Sequence, residues 1–170
     1  MQVLIVRHGM AEDRDTFAAT GQTDDLRPLT EKGKEKTKKA AKGIRKLVPV
    51  LHRIVASPLV RAQQTATILS ERYDGVHITT LKALSPEADS FEMILSYLQT
   101  YGYHLETIAL VGHEPDLGQL TTWLLTGQRS QWMPLKKGSA CLLEFSDEVE
   151  TGAANLLWYL APKHLRQLAN

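Results

Sequence analysis

The chain has 170 residues, 43% hydrophobic and 23% charged, and its 20 Lys+Arg against 19 Asp+Glu give a formal net charge of +1. A chain of this length buries about two-thirds of the surface its unfolded form would expose, so it folds without needing a disulfide or a metal. The composition excludes a disordered chain, the near-zero charge removes bulk attraction for nucleic acid, and no run reaches the about 18 apolar residues of a membrane span.

Taken in order, Gln2 to Val6 reads as a first strand, and Met1 enters it without the basic start and long apolar segment of a signal peptide. A cytoplasmic location with no membrane association is therefore expected. Residues 10–29 are polar and carry no clear period, which predicts a long connection beyond that strand. Thr30 is placed to cap a helix running to about Leu47, with Thr37, Ala41, Ile44 and Val48 on one face.

Arg53 to Ser57 is a second strand, and Ser57-Pro58 predicts an N-cap with a first-turn proline for a helix to about Arg72. Val76 to Thr80 is a short third strand, followed by a loop through Leu84-Ser85-Pro86-Glu87-Ala88-Asp89 and a helix carrying Phe91, Ile94, Leu98 and Tyr101. Thr107 to Val111, continuously apolar after its first residue, is expected to be a central strand covered on both faces, and Leu117, Leu120, Thr121 and Leu124 continue as a helix. The runs Ser139 to Phe145 and Ala154 to Leu160 flank a polar segment and predict a hairpin at the sheet edge.

Strand-like runs alternating with helix-period segments predict an α/β domain with a largely parallel sheet, and the lack of repeats or a linker predicts a single domain over residues 1–170. The lone Cys141 excludes an intramolecular disulfide and reads as a buried structural thiol in a strand.

Ligands of open α/β sheets bind beyond the carboxyl ends of strands. Those positions hold Arg7 and His8 after the first strand, Ser57 and Arg61 after the second, and His113 after the fourth. Two arginines and two histidines gathered there would suit an anion. Phosphoryl transfer needs mainly positioning and positive charge around the equatorial oxygens, which arginine forks and a helix N-terminus supply. A neutral imidazole can attack phosphorus and hold the phosphoryl group covalently, and neighbouring arginines disfavour its protonated form. His8, beside Arg7, is the better nucleophile, and His113 would donate to a phosphoryl oxygen. Gly9 and Gly112 flank the histidines, where a missing Cβ would let the backbone approach a ligand.

Arg7-His8-Gly9 after a first strand, Ser57-Pro58-Leu59-Val60-Arg61 opening a helix, and Gly112-His113 after a late strand resemble the histidine phosphatase superfamily, which includes the phosphoglycerate mutases. Arg27-Pro28-Leu29-Thr30, Ala62-Gln63-Gln64-Thr65-Ala66, Glu114-Pro115 and the short length are similar to the SixA-type phosphohistidine phosphatases. The resemblance implies a three-layer αβα sandwich of phosphoglycerate mutase type, with a mostly parallel central sheet and an antiparallel edge strand. It implies a phosphatase in which His8 is phosphorylated, Arg7, Arg61 and His113 form the phosphate pocket, and Arg27 reaches the same pocket.

Larger relatives place a glutamate, commonly near a glycine, in the loop after the third strand to protonate the leaving oxygen. Here Glu87 and Asp89 are the candidates, and the glycine is missing. An alkoxide needs such an acid, whereas a protonated imidazole leaves as a neutral ring, so a misplaced acid favours P–N bonds. The short loop points the same way, because it leaves an open pocket able to admit a histidine on another protein.

His52, His77, His104 and His164 show no metal-ligand spacing, so no metal and no cofactor are expected, and G-x-x-x-x-G-K-[ST] is absent. The basic stretch Lys32 to Lys39 reads as a solvated face or a docking surface for an acidic phosphoprotein, and residues 127–138 as a polar loop bordering the pocket. Trp123, Trp132 and Trp158 read as core and rim packing. The expected activity is hydrolysis of phosphohistidine on a partner protein, such as a phosphotransfer domain. A small-molecule phosphomonoesterase and a non-catalytic module that binds phosphorylated ligands are the alternatives.

Overall fold

β1 (Gln2–Arg7) is apolar over Val3, Leu4, Ile5 and Val6 because both of its edges are paired and both of its faces are covered. The computed structural model describes residues 1–86, 88–102 and 106–169. Among these, one six-stranded sheet runs in the order β3-β2-β4-β1-β5-β6. β2 is Arg53–Ala56, β3 Ile78–Thr80, β4 Thr107–Gly112, β5 Ala140–Glu144 and β6 Asn155–Leu160. β1 to β4 are mutually parallel, while β5 pairs antiparallel with β1, and β6 with β5. β4 is buried along its whole length, as expected of a strand flanked by β2 and β1 with helices on both faces.

Period-two alternation along β1 divides the core. Leu4 and Val6 join the layer made by α2 (Glu31–Leu47), α3 (Val60–Arg72) and α6 (Pro162–Gln167). Val3 and Ile5 face the opposite layer, made by α4 (Phe91–Gly102) and α5 (Asp116–Thr126). The architecture is therefore a three-layer αβα sandwich. The chain leaves β1 for one layer and leaves the neighbouring β4 for the other, which makes the gap between their carboxyl ends the switch point where such sheets take ligands.

Two local readings change, and a helix is added at the end of the chain. The connection after β1 contains a short helix, α1 (Arg14–Ala18), capped by the Asp13 side chain, and a 3-10 turn at Asp24–Leu26. An antiparallel bridge, Ala11 to Leu29, closes this segment on itself, with Thr30 N–H donating to the Met10 carbonyl at 3.0 Å. Its residues lack a helical period because they fold back over the strand end instead of packing along a core face. Ser57 is not a helix cap: α3 starts at Val60 after Leu59, with no side-chain cap, and the Ser57 hydroxyl accepts from Leu59 N–H at 3.3 Å while meeting His113 Nε2 at 2.9 Å. The polar end of the chain also forms a helix, α6, whose Pro162 sits in its first turn.

Thr30 caps α2 as expected, its Oγ1 accepting from Gly33 N at 2.9 Å. α6 lies so close to α2 that a Cβ on Gly43 would stand 1.9 Å from the Leu165 carbonyl oxygen. In an open helix, Gly to Ala stabilises by about 1 kcal/mol. Gly43→Ala is expected to do the opposite here, destabilising by about 1–3 kcal/mol through overpacking, as read from urea denaturation midpoints at unchanged m-value.

Candidate active site

β1 and β4 end in register, Arg7 opposite Gly112, and His8 N–H donates to the Gly112 carbonyl at 3.1 Å. This pairing sets the two following side chains side by side: the imidazoles of His8 and His113 lie 5.0 Å apart between ring centroids. On the other side of β4, Ser57 N–H donates to the Val111 carbonyl at 3.0 Å, and the Ser57 hydroxyl reaches His113 Nε2 at 2.9 Å. Arg61 follows in the first turn of α3, the helix whose N-terminus carries no capping side chain. Ser57, Arg61, His8 and His113 are thus gathered at one edge of the sheet, and all four are buried.

The polarity of His8 follows from its bond to Gly9. His8 Nδ1 lies 2.7 Å from the Gly9 carbonyl oxygen, which can only accept, so Nδ1 is assigned the proton and Nε2 keeps its lone pair. Burial lowers the His8 pKa to about 2, helped by His113 and the charges of Arg61 and Arg7 and opposed by the bond to Gly9. Burial first, then Arg61 and Arg7, hold His113 at about 3 against the opposing charge of Asp24. Both rings are neutral at physiological pH.

The arginines are fixed by backbone and by one carboxylate. Arg7 Nη1 donates to the Leu135 carbonyl at 2.6 Å. Arg61 donates to the Asp24 carbonyl at 2.8 Å and to Asp24 Oδ2 at 3.0 Å. Arg27 donates from Nε to Asp24 Oδ1 at 2.8 Å and from Nη1 to the Glu12 carbonyl at 2.7 Å. Arg27 is 6% exposed and shares the Asp24 carboxylate with Arg61, which places the Arg-Pro-Leu-Thr segment beside the cluster. Burial works to raise the Asp24 carboxyl, but the Arg27 hydrogen bond and the charges of Arg61, Arg27 and Arg14 outweigh it and hold it below the usual carboxylate range.

Buried polar side-chain atoms normally find partners. Among the described residues five do not, and three of them, Arg7 Nε, Arg61 Nε and His113 Nδ1, belong to this one cluster. Potential donors on cationic and imidazole groups concentrated at a strand-end switch point are the physical signature of an oxyanion site.

The structure brings together Arg7, His8, Ser57, Arg61 and His113, all singled out from the sequence, and adds Asp24 and Lys137, which were not. Asp24 was hidden in an aperiodic polar stretch. Lys137 lies within the loop 127–138 already expected to border the pocket; burial first, then the charges of Arg7, Arg27 and Arg61, lower its pKa. That loop meets the end of β1 directly, since Gly138 N–H is shared between the carbonyls of Arg7 at 3.2 Å and His8 at 3.0 Å.

Gly9 has a different reason from the one expected: a Cβ there would stand 2.3 Å from Thr37 Oγ1, so its small size serves the packing of α2. Of the candidate acids, Glu87 lies outside the described residues, as does His104. Asp89 adopts a left-handed backbone (φ 39°) and pairs with Arg129 at 3.0 Å, in a surface cluster that also holds Glu92. Trp123 is core, against Phe91 at 5.9 Å, whereas Trp132 is 65% exposed. Cys141 is buried, and burial raises its thiol to about 12, as a structural cysteine requires.

Two buried neutral imidazoles have a measurable consequence for stability. Histidine in the unfolded chain titrates near pH 6.5. Below that pH the unfolded chain binds protons that folded His8 and His113 refuse, so stability falls on acidification from about pH 6.5 to 5, by about 2 kcal/mol per histidine at pH 5. His113→Asn is expected to flatten this slope by about half in urea unfolding curves taken across the window.

Residues 3–88 match the family model described as the histidine phosphatase superfamily (branch 1). Over 168 residues the chain is 34% identical to an uncharacterized protein of Picosynechococcus sp., covering 97% of this chain and 99% of that one. It is 28% identical over 170 residues to the phosphohistidine phosphatase SixA of Escherichia coli (strain K12), covering 98% and 97% of the two chains. The structure of the protein histidine phosphatase SixA complexed with tungstate superposes with a TM-score of 0.81 at 26% identity, over 97% of this chain and 99% of that one. The alpha-ribazole phosphatase from Shigella flexneri, 16% identical with a TM-score of 0.74 over 95% and 97% of the chains, shares the fold alone.

Proposed function

We propose that this chain, which belongs to the histidine phosphatase superfamily and is a phosphatase of the SixA-like kind, removes phosphoryl groups from histidine side chains of a partner protein through a phospho-His8 intermediate. The observation that carries the reading is the placing of a neutral imidazole with its Nε2 lone pair free beside the partner-less buried donors of Arg7, Arg61 and His113.

In this reading Arg7, Arg61 and the uncapped N-terminus of α3 hold the transferred group by its equatorial oxygens. His113 takes a hydrogen bond from the Ser57 hydroxyl at Nε2, which leaves the proton on Nδ1 for a phosphoryl oxygen. His8 Nε2 forms a bond to phosphorus as the bond to the leaving nitrogen breaks, and the substrate imidazole departs as a neutral ring carrying its own proton. Water then attacks phosphorus, the P–Nε2 bond breaks, and orthophosphate leaves with His8 restored. Asp24 keeps Arg61 and Arg27 in place and, with a lowered pKa, stays an anion rather than an acid. No metal or cofactor enters these steps.

Support for a P–N substrate comes from the likeness to SixA over nearly the whole chain and from the small span between β3 and α4, residues 81–90, which leaves little to close over a small molecule. Within that span Asp89 is committed to Arg129. The test is a direct comparison of kcat/KM for a histidine-phosphorylated phosphotransfer domain and for an alkyl phosphate. Preference for the phosphohistidine protein by about 100-fold or more is expected, since an unassisted ester leaving group forgoes the 10²–10⁴-fold that a positioned acid supplies. An ester preference of the same size would identify a small-molecule phosphomonoesterase instead.

A further inference from the structure

A cavity lies on the α2 side of β1, bordering the strand-end cluster at Arg7 and Gly9. It has a volume of about 220 Å³, with Ala40, Ala41 and Ile44 of α2 and Leu69 of α3 forming its apolar wall. Four cations line it as well, Lys36, Lys137 and Arg166 together with Arg7 of the strand-end cluster, and no carboxylate does. Lys36 and Arg166 are half-buried and Lys137 is exposed, which puts their charge where the cavity meets solvent. Buried apolar walls with a rim of one sign of charge suit a ligand with a hydrophobic body and an anionic end.

The geometry points to this cavity as a binding site for a small amphipathic carboxylate, seated between α2 and α3 with its acid group at Lys36, Lys137 and Arg166. Size sets the body of the ligand: an apolar cavity of about 150 Å³ holds benzene, so this one takes a benzene-sized group and a short acidic arm. The packing that makes the space is specific to the fold, because α6, which brings Arg166, is pinned to α2 at Gly43.

The site has a route to the catalytic residues. Thr65, in the cavity wall, accepts from Gly9 N–H at 3.0 Å through Oγ1 and donates to the Arg61 carbonyl at 2.8 Å. The Gly9 carbonyl is the acceptor that fixes the His8 tautomer. A ligand against Thr65 therefore bears on Gly9, whose carbonyl orients the nucleophile, and on the turn that carries Arg61. That regulatory consequence rests on the proposed phosphatase mechanism; the existence of the site does not.

The experiment is a titration of the full chain with phenylacetate, followed by calorimetry and by amide shifts in ¹H–¹⁵N spectra, with orthophosphate present at saturation. Saturable binding with shifts at Gly9, Thr37 and Thr65 is expected. 2-Phenylethanol, the neutral counterpart, should bind about tenfold more weakly, and the double variant Lys36→Gln/Arg166→Gln should lose about tenfold in phenylacetate affinity. Ala41→Leu should fill the cavity and remove binding; if it does not fold, the charge variant decides alone. Absence of saturable binding, equal affinity for the alcohol, or shifts confined to Arg61 and His113, which do not line the cavity, would overturn the assignment. Because binding is read without turnover, an inactive enzyme that still takes phenylacetate would refute the phosphatase mechanism and leave this site standing.

Discussion

His8→Asn is expected to lower kcat/KM by at least about 10³-fold, with the fold retained, because in the proposed mechanism it removes the atom that accepts phosphorus. Asparagine can still donate to the Gly9 carbonyl that His8 Nδ1 engages, so the backbone at the end of β1 keeps its partner. The loss should therefore appear in turnover, and binding of orthophosphate to the arginines should survive. His8 is 4% exposed and packed against His113, and a purely structural imidazole there would give the reverse pattern: reduced stability with turnover nearly intact.

Arg61→Ala is the second large effect, an expected fall of about 10²–10³-fold in kcat/KM together with weaker inhibition by orthophosphate. Arg61 sits 2% exposed in the first turn of α3, and it is held by Asp24 through both a carbonyl and a carboxylate oxygen. Arg61→Lys should recover only part of the loss, since an ammonium cannot reproduce the planar fork. Removing Arg61 also removes one of the charges that keep both imidazoles neutral, so the acid limb of the pH–rate profile should move toward higher pH. Unchanged orthophosphate inhibition in Arg61→Ala would place the phosphate elsewhere.

Strand-end positions were the most legible part of the chain. β1, β2 and β4 carry apolar runs that stop where the chain must turn, and the polar residues just beyond them, Arg7-His8, Ser57 with Arg61, and His113, need no knowledge of distant contacts to be noticed. Parallel pairing then brings those ends together by the geometry of the sheet. Features produced by loop closure were not legible. Asp24 reaches three arginines only because the bridge between Ala11 and Leu29 folds residues 10–29 over the strand edge, and nothing in Asp24-Asp25-Leu26 distinguishes it from a solvated turn. The role of Leu135 is equally hidden, because it acts through a backbone carbonyl that any residue could supply.

The reasons for particular residue types were harder to read than their positions. Gly9 was legible as important next to His8, yet its constraint is the Thr37 hydroxyl of α2, a contact that only tertiary packing creates. Ser57 before Pro58 read as a helix cap, and it is instead the partner of His113 Nε2, since α3 begins later. In both places local rules identified a special position, and the neighbouring layer decided what it was for.

The central claim is that phosphorus becomes bonded to His8. Its most direct measurement is rapid acid-free quench of the enzyme mixed with a radiolabelled phosphohistidine protein, followed by mapping of the labelled peptide. A base-stable, acid-labile label on the peptide containing His8, absent from His8→Asn, is the expected result. A label on His113, or steady turnover with no labelled enzyme at any time, would contradict the account.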